Sequence, residues 1–121
     1  MKNKFLRLIL VSIFALTACK TAATADISNA SIKKIINNPD VTLVDVRTPE
    51  QFAGGSANNA INVPLADIIN NPTSLKGKKV VVFCNKGIQA DEAVKILKKN
   101  GVEVYDGTSW KNVKGIQDSS L

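Results

Sequence analysis

The stretch Val80-Val81-Val82-Phe83-Cys84-Asn85-Lys86-Gly87-Ile88-Gln89-Ala90, continuing through Ala93, Val94, Ile96 and Leu97, decides the architecture. Val80 to Phe83 is an unbroken apolar run rich in β-branched residues, the signature of a strand buried on both faces of a parallel sheet. The apolar positions after it recur at helical spacing, and Asn100-Gly101 stops them in the manner of a C-cap. Lys95, Lys98 and Lys99 fall in the last turns, where cations complement the helix dipole. Outward from this unit, Val41-Thr42-Leu43-Val44-Asp45-Val46 reads as a second buried strand, Ala60 to Val63 as a short one ended by Pro64, and Val102 to Tyr105 as the last. Ile32, Ile35 and Ile36 predict a first helix, with Ser28 or Ser31 as its cap and Asn37-Asn38-Pro39 as its stop. Thr48-Pro49-Glu50-Gln51 supplies an N-cap, a proline at the first helical position and a capping-box glutamine. Leu65, Ile68 and Ile69 allow a further turn or two. Strands alternating with helices imply an α/β protein with a mostly parallel central sheet.

The chain has 121 residues, enough for one domain of ordinary size. It contains no histidine, which excludes a Ser-His-Asp triad, a Cys-His pair and a His-ligated zinc site within the chain. Two cysteines, Cys19 and Cys84, are too few for a cysteine-only metal centre or a disulfide scaffold. The net charge is +6, but Lys2, Lys4 and Arg7 account for half of it, leaving 13 cations against 10 anions in the remainder. That modest excess suits an anionic small ligand or a membrane surface. It is too scattered, with too few aromatics for base stacking, to indicate nucleic acid.

Residues 1–18 read as a signal peptide: a basic start, then an apolar run from Leu8 to Ala18 that falls short of the roughly 20 residues a membrane span requires. Leu16-Thr17-Ala18-Cys19 resembles the lipobox of bacterial lipoproteins, which makes Cys19 the expected lipidation site and residues 19–28 a tether. The domain is then expected at residues 29–121, anchored in a bacterial cell envelope and facing the periplasm. Cleavage after Ala23-Thr24-Ala25 is the alternative, giving a soluble periplasmic protein. Either route leaves Cys84 as the single thiol of the mature domain, so no internal disulfide forms.

Cys84 sits where a buried strand hands over to a helix. Open α/β sheets bind ligands beyond the carboxyl ends of their strands, and the free N–H groups of a helix N-terminus attract anions. A sulfur placed there, beside Lys86, is favoured in its negative form. Gly87 lets the loop turn with positive φ and brings backbone donors inward. These features mark Cys84 as a nucleophile candidate and Asn85, Lys86, Gly87, Ile88, Gln89 and Ala90 as the ligand-holding loop. The competing reading of Cys84 is a small buried apolar residue.

Leu43-Val44-Asp45-Val46-Arg47-Thr48-Pro49-Glu50-Gln51-Phe52, followed by Ala60-Ile61-Asn62-Val63-Pro64, resembles the first signature of rhodanese-like domains, and Cys84 with its six-residue loop resembles their active site. Asp106-Gly107-Thr108-Ser109-Trp110 is similar, with one inserted residue, to the segment after the family's last strand. The resemblance runs from about Asp26 to the C-terminus. Among relatives, the exported single-domain rhodaneses of the phage-shock type are nearest in size and address. It implies a parallel central sheet with helices on both faces. It also implies sulfurtransferase chemistry with no cofactor or metal: Cys84 takes sulfur from a small anionic donor such as thiosulfate, sulfite leaves, and a thiol or cyanide removes the sulfur from the persulfide. An anion nest with one cation serves such a reaction without an acid/base histidine. The Cys-x5-Arg phosphatases share the architecture, but here Phe83 precedes the cysteine and Ala90 stands where their phosphate-gripping arginine would be.

The chain departs from the family pattern at three points. Asn85 and Gln89 stand where many members carry basic residues, so Lys86 is the loop's one cation, expected to hold the sulfonate end of the donor. Asn59 replaces a turn glycine, a change expected to be structural because asparagine tolerates left-handed φ. The weaker field motivates a second reading, a non-catalytic sulfur carrier or thiol redox sensor acting through a partner protein. A third is a purely structural envelope protein. Asp45 and Arg47 are expected to support the site: Asp45 by accepting loop N–H groups, Arg47 either by pairing with Glu50 or by adding positive potential near the sulfonate. Trp110 is expected to pack over the domain edge rather than touch substrate.

Overall fold

The computed structural model describes residues 29–120, in the order α1 (Asn29–Ile35), β1 (Val41–Asp45), α2 (Pro49–Ala53), β2 (Ile61–Asn62), α3 (Leu65–Asn70), β3 (Lys79–Cys84), α4 (Ile88–Lys99), β4 (Glu103–Ser109) and α5 (Trp110–Ser119). The proposed signal peptide, Cys19, the tether and the possible cap Ser28 lie outside those residues. Ser31 falls inside α1 and is not its cap.

The four strands form one parallel sheet in the order β2-β1-β3-β4. β3 is central, and its side chains alternate between two cores. Val80, Val82 and Cys84 face α3 and α4 through Ile68, Ala90, Ala93 and Leu97. Val81 and Phe83 face α1 and α5 through Ile32, Ile36, Val113 and Ile116. β1 repeats the alternation, with Val44 and Val46 on the first side and Leu43 on the second. Helices therefore cover both faces, which is why the inner strands read as continuous apolar runs.

The local signals act where the sequence places them. Thr48 caps α2, its hydroxyl accepting from the Gln51 N–H while the Gln51 side chain accepts from the Thr48 N–H, both at 3.3 Å. Asn59 holds φ at 63°, the left-handed turn expected of it. The segment after Tyr105 departs from its predicted end: β4 continues to Ser109, and α5 follows directly, with the Ser109 hydroxyl accepting from the Asn112 N–H at 3.1 Å.

The inserted residue of Asp106-Gly107-Thr108 appears as a bulge. Val82 pairs with Asp106, but Phe83 pairs with Thr108, so Gly107 is the extra residue. A Cβ there would lie 2.9 Å from both Val81 Cγ1 and Val113 Cγ2 and 3.1 Å from the Val82 carbonyl oxygen, so any side chain at that position would force these buried neighbours to move. Thr108 takes up the displaced backbone with φ at 69°, a costly conformation for a β-branched residue.

Candidate active site

Cys84 ends β3, and the three residues after it turn the chain into α4. The turn depends on Gly87, the N-cap, whose φ is 104° and whose added Cβ would come within 3.1 Å of Thr108 Cγ2. This left-handed residue folds the loop back over its own cysteine. The Gly87 N–H donates to Cys84 Sγ at 3.0 Å, and the Ala90 N–H donates at 3.4 Å. Both groups belong to the first turn of α4, where no intrahelical acceptor exists for them, so the sulfur fills a role that a capping side chain usually plays. On the opposite side, Sγ–H points at the Thr108 carbonyl oxygen, 3.7 Å away.

Cys84 is 2 % exposed and shares the α4-side core with Val82, Ala90 and Ala93. It also lines a shallow cleft of about 270 Å³ with Asn85, Lys86, Ile88 and Gln89. The thiol thus combines both sequence readings: it packs like a small apolar residue, yet it forms the floor of a concavity and receives two amide hydrogens. Asn85, Lys86 and Gln89 are exposed around it, and Ile88, 76 % exposed, forms an apolar lip. Lys86 has no ion-pair partner among the described residues, which leaves its charge available to an incoming anion. Of the loop, Asn85, Lys86, Ile88 and Gln89 line the cleft with Cys84, while Gly87 and Ala90 contribute backbone N–H groups to its sulfur.

Asp45 and Arg47 occupy a different place. Arg47 does not pair with Glu50. Its Nε lies 3.0 and 3.1 Å from the two carboxylate oxygens of Asp45, and its Nη2 lies 2.7 Å from Oδ2. Glu50 is exposed and hydrated and attracts weakly, whereas the Asp45 carboxylate is fully buried and requires a counter-charge. The Arg47 N–H and the Ser56 hydroxyl complete the carboxylate's shell at 3.0 and 2.7 Å, and Nη2 also donates to the Gly55 carbonyl at 2.6 Å. The guanidinium stacks 5.1 Å above the Trp110 ring, so Trp110 packs at the domain edge as expected. Arg47 is absent from the cleft lining, and its charge is neutralised by Asp45. The pair is a structural pin for the β1–α2 connection.

Sequence reasoning missed Thr108 and Asp106. Thr108 supplies a carbonyl that faces the sulfur, and Asp106 Oδ1 accepts the Thr108 N–H at 2.8 Å across the bulge. Burial raises Asp106 from the ordinary 3.8 to about 6; a side-chain hydrogen bond with Asp91 adds to the rise, while the Thr108 N–H and Lys98 oppose it. The signal available was the inserted residue in Asp106-Gly107-Thr108-Ser109-Trp110, but a bulge's consequences depend on which strand lies alongside. The described residues contain no cluster of His, Cys, Asp and Glu suited to a metal ion.

A parallel sheet carrying a cysteine loop at a strand's carboxyl end, folded into an amide cradle, defines a class, and comparison with known proteins agrees. Residues 28–113 match the family model for the rhodanese-like domain. The chain belongs to that family. It is 33 % identical over 81 residues to the thiosulfate sulfurtransferase PspE of Escherichia coli, covering 64 % of this chain and 73 % of that one. It is also 33 % identical over 69 residues to a tRNA sulfurtransferase of Thermoplasma acidophilum, covering 57 % of this chain but 14 % of that longer protein. Against an uncharacterized Bacillus subtilis protein, YqhL, the match spans 52 % of the relative's length. Among solved structures, a rhodanese-related protein of Thermoplasma volcanium aligns with a TM-score of 0.60 at 27 % identity, covering 74 % of this chain and 88 % of that one. A rhodanese with anions from E. coli aligns at 0.53 with 32 % identity, covering 60 % and 89 % respectively.

Proposed function

We propose that this protein is a sulfurtransferase that moves a sulfane sulfur from thiosulfate, or a similar small anionic donor, to a thiophilic acceptor through a persulfide on Cys84. The observation that carries the reading is the pair of amide N–H groups, from Gly87 and Ala90, converging on a sulfur that floors an open cleft. In the first step the Cys84 sulfur, as thiolate, attacks the outer sulfur of thiosulfate. The S–S bond of the donor breaks, and sulfite leaves with the bonding pair. In the second step a thiol or cyanide attacks the outer persulfide sulfur and regenerates the thiolate. The resting intermediate is an anion, and donors already aimed inward stabilise it without reorganisation. Lys86 holds the sulfonate end of the donor, which carries negative charge into and out of the site. No group in this sequence of bonds needs to act as a proton shuttle, which accords with a chain that has no histidine.

The test is turnover: with thiosulfate and cyanide the chain should produce sulfite and thiocyanate catalytically, and Cys84→Ser should produce neither. A chain that loads sulfur on Cys84 but turns over negligibly would instead support the carrier reading, which the single cation of the loop favours. The N-terminal pattern ending in Cys19 supports a lipid anchor in the cell envelope with the domain facing the periplasm. Intact mass of the native protein should show cleavage before Cys19 and an acyl mass on it; cleavage after Ala25 with no lipid would contradict the anchor.

A further inference from the structure

The cleft over Cys84 offers more surface than a small dianion uses. Its volume of about 270 Å³ is well beyond that of thiosulfate, and its lining is mainly apolar. Its lip is Ile88, the most exposed large apolar side chain among the described residues. An apolar side chain standing in water beside a nucleophile is a contact surface for whatever approaches that nucleophile. The cleft is also shallow. Pockets for small molecules enclose most of their ligand, whereas here a small thiol would stay largely in water. An acceptor that covers Ile88 and the cleft together has to bring a surface of its own, as a protein segment does.

The charges beside the cleft say what kind of segment fits. The helices α3 and α4 pack side by side on the face of the sheet that holds Cys84, and both start beyond the carboxyl ends of strands. Asp67 stands in the first turn of α3 and Asp91 in the first turn of α4, with Glu92 next to it. Ile88, Asp91 and Glu92 are spaced i, i+3 and i+4, so they share one side of α4. All three carboxylates are exposed, and none enters an ion pair among the described residues. Lys86, in the loop, serves the anionic donor; the α4 side of the cleft, apolar and then acidic, suits a different molecule. We propose, building on the sulfurtransferase reading, that the acceptor is a protein cysteine flanked by an apolar side chain and by lysine or arginine. The apolar group seats on Ile88, and the cations face Asp91, Glu92 and Asp67. Those cations also favour the acceptor's thiolate, whose proton goes to solvent before transfer. The thiolate attacks the outer sulfur of the Cys84 persulfide, and the S–S bond breaks. Cys84 leaves with the bonding pair, as a thiolate held by the Gly87 and Ala90 N–H groups, and the acceptor departs as the persulfide.

The test loads the full chain with thiosulfate, removes the excess, and follows by mass the loss of sulfur from Cys84 and its gain on model peptides. In the first peptide a leucine precedes the cysteine and two arginines follow it; the second replaces the arginines with glutamates, and the third replaces the leucine with serine. Each rate is divided by the rate to cyanide for the same protein, which removes differences in the reactivity of the persulfide. At low salt the first peptide should exceed the second about fivefold, a preference that high salt reduces. It should exceed the third about threefold. Asp91→Asn combined with Glu92→Gln should shrink the charge preference to about twofold or less, and Ile88→Ser should erase the leucine preference. These changes between variants separate docking from the peptides' own thiol reactivity, which is the same for every variant. Peptide preferences that are absent, or that persist unchanged in the variants, would overturn the acceptor assignment alone. So would transfer to glutathione, a small anionic thiol, that outpaces every peptide. A Cys84 that takes up no sulfur from thiosulfate would overturn the sulfurtransferase reading and this proposal with it.

Discussion

Arg47→Ala is the perturbation whose size follows most directly from the structure. The substitution removes three contacts of 2.7 to 3.1 Å to a carboxylate with no exposure to solvent, together with the bond to the Gly55 carbonyl and the stacking on Trp110. Breaking a buried ion pair by deleting one partner costs about 3–5 kcal/mol, because the remaining charge is stranded. Two donors survive around Asp45, the residue 47 N–H and the Ser56 hydroxyl, so the expected loss lies near the lower end, about 3 kcal/mol. That is a large share of the roughly 5–15 kcal/mol that stabilises a domain. The assay is urea unfolding of the chain at pH 7.5, with the midpoint and slope compared with wild type. Arg47→Lys should recover less than half of the loss, since an ammonium cannot match the two-oxygen geometry. Asp45→Asn combined with Arg47→Ala should cost less than Arg47→Ala alone, because no charge is then stranded. A loss under about 1 kcal/mol for Arg47→Ala, the scale of an exposed pair, would refute the structural pin. So would an Arg47→Ala protein that folds normally and loses only its affinity for thiosulfate.

Gly87→Ala should destabilise the chain by about 1–3 kcal/mol, because φ is 104° and the new Cβ meets Thr108; it should also slow sulfur loading, measured by mass after brief exposure to thiosulfate. Lys86→Ala should raise the KM for thiosulfate about threefold, leave kcat nearly unchanged and flatten the salt dependence of KM; an unaltered KM would remove Lys86 from the donor site. Asp106 is raised to about 6, so the fold disfavours its ionised form. Stability measured by urea titration should therefore be lowest above pH 6 and rise as pH falls through 6 toward 4, and Asp106→Asn should flatten that rise.

The parallel sheet was legible because Val41 to Val46 and Val80 to Phe83 carry almost no polar residue, a pattern only a strand covered on both faces permits. The cysteine loop was legible for a local reason: strand, cysteine, glycine and helix follow one another without a gap, so sequence neighbours are also spatial neighbours. Arg47 misled because the exposed Glu50 stands at a plausible spacing, and burial, which decided the pairing, is not written in a local pattern. The β4 arm of the site was illegible for a related reason. Thr108 and Cys84 are 24 positions apart, and they meet because a single inserted residue shifts the register between β3 and β4. The helix α5 escaped because its buried positions, Val113 and Ile116 with the polar Gln117, make too thin an apolar stripe to stand out from the sequence.

The account depends most on the sulfur of Cys84 accepting and holding a second sulfur in its amide cradle. Mass spectrometry of the folded chain after incubation with thiosulfate, followed by digestion without reductant, addresses this directly. One added sulfur, about 32 Da, on the peptide containing Cys84, absent from Cys84→Ser, is the predicted result. A correctly folded chain whose Cys84 peptide keeps its original mass would contradict it.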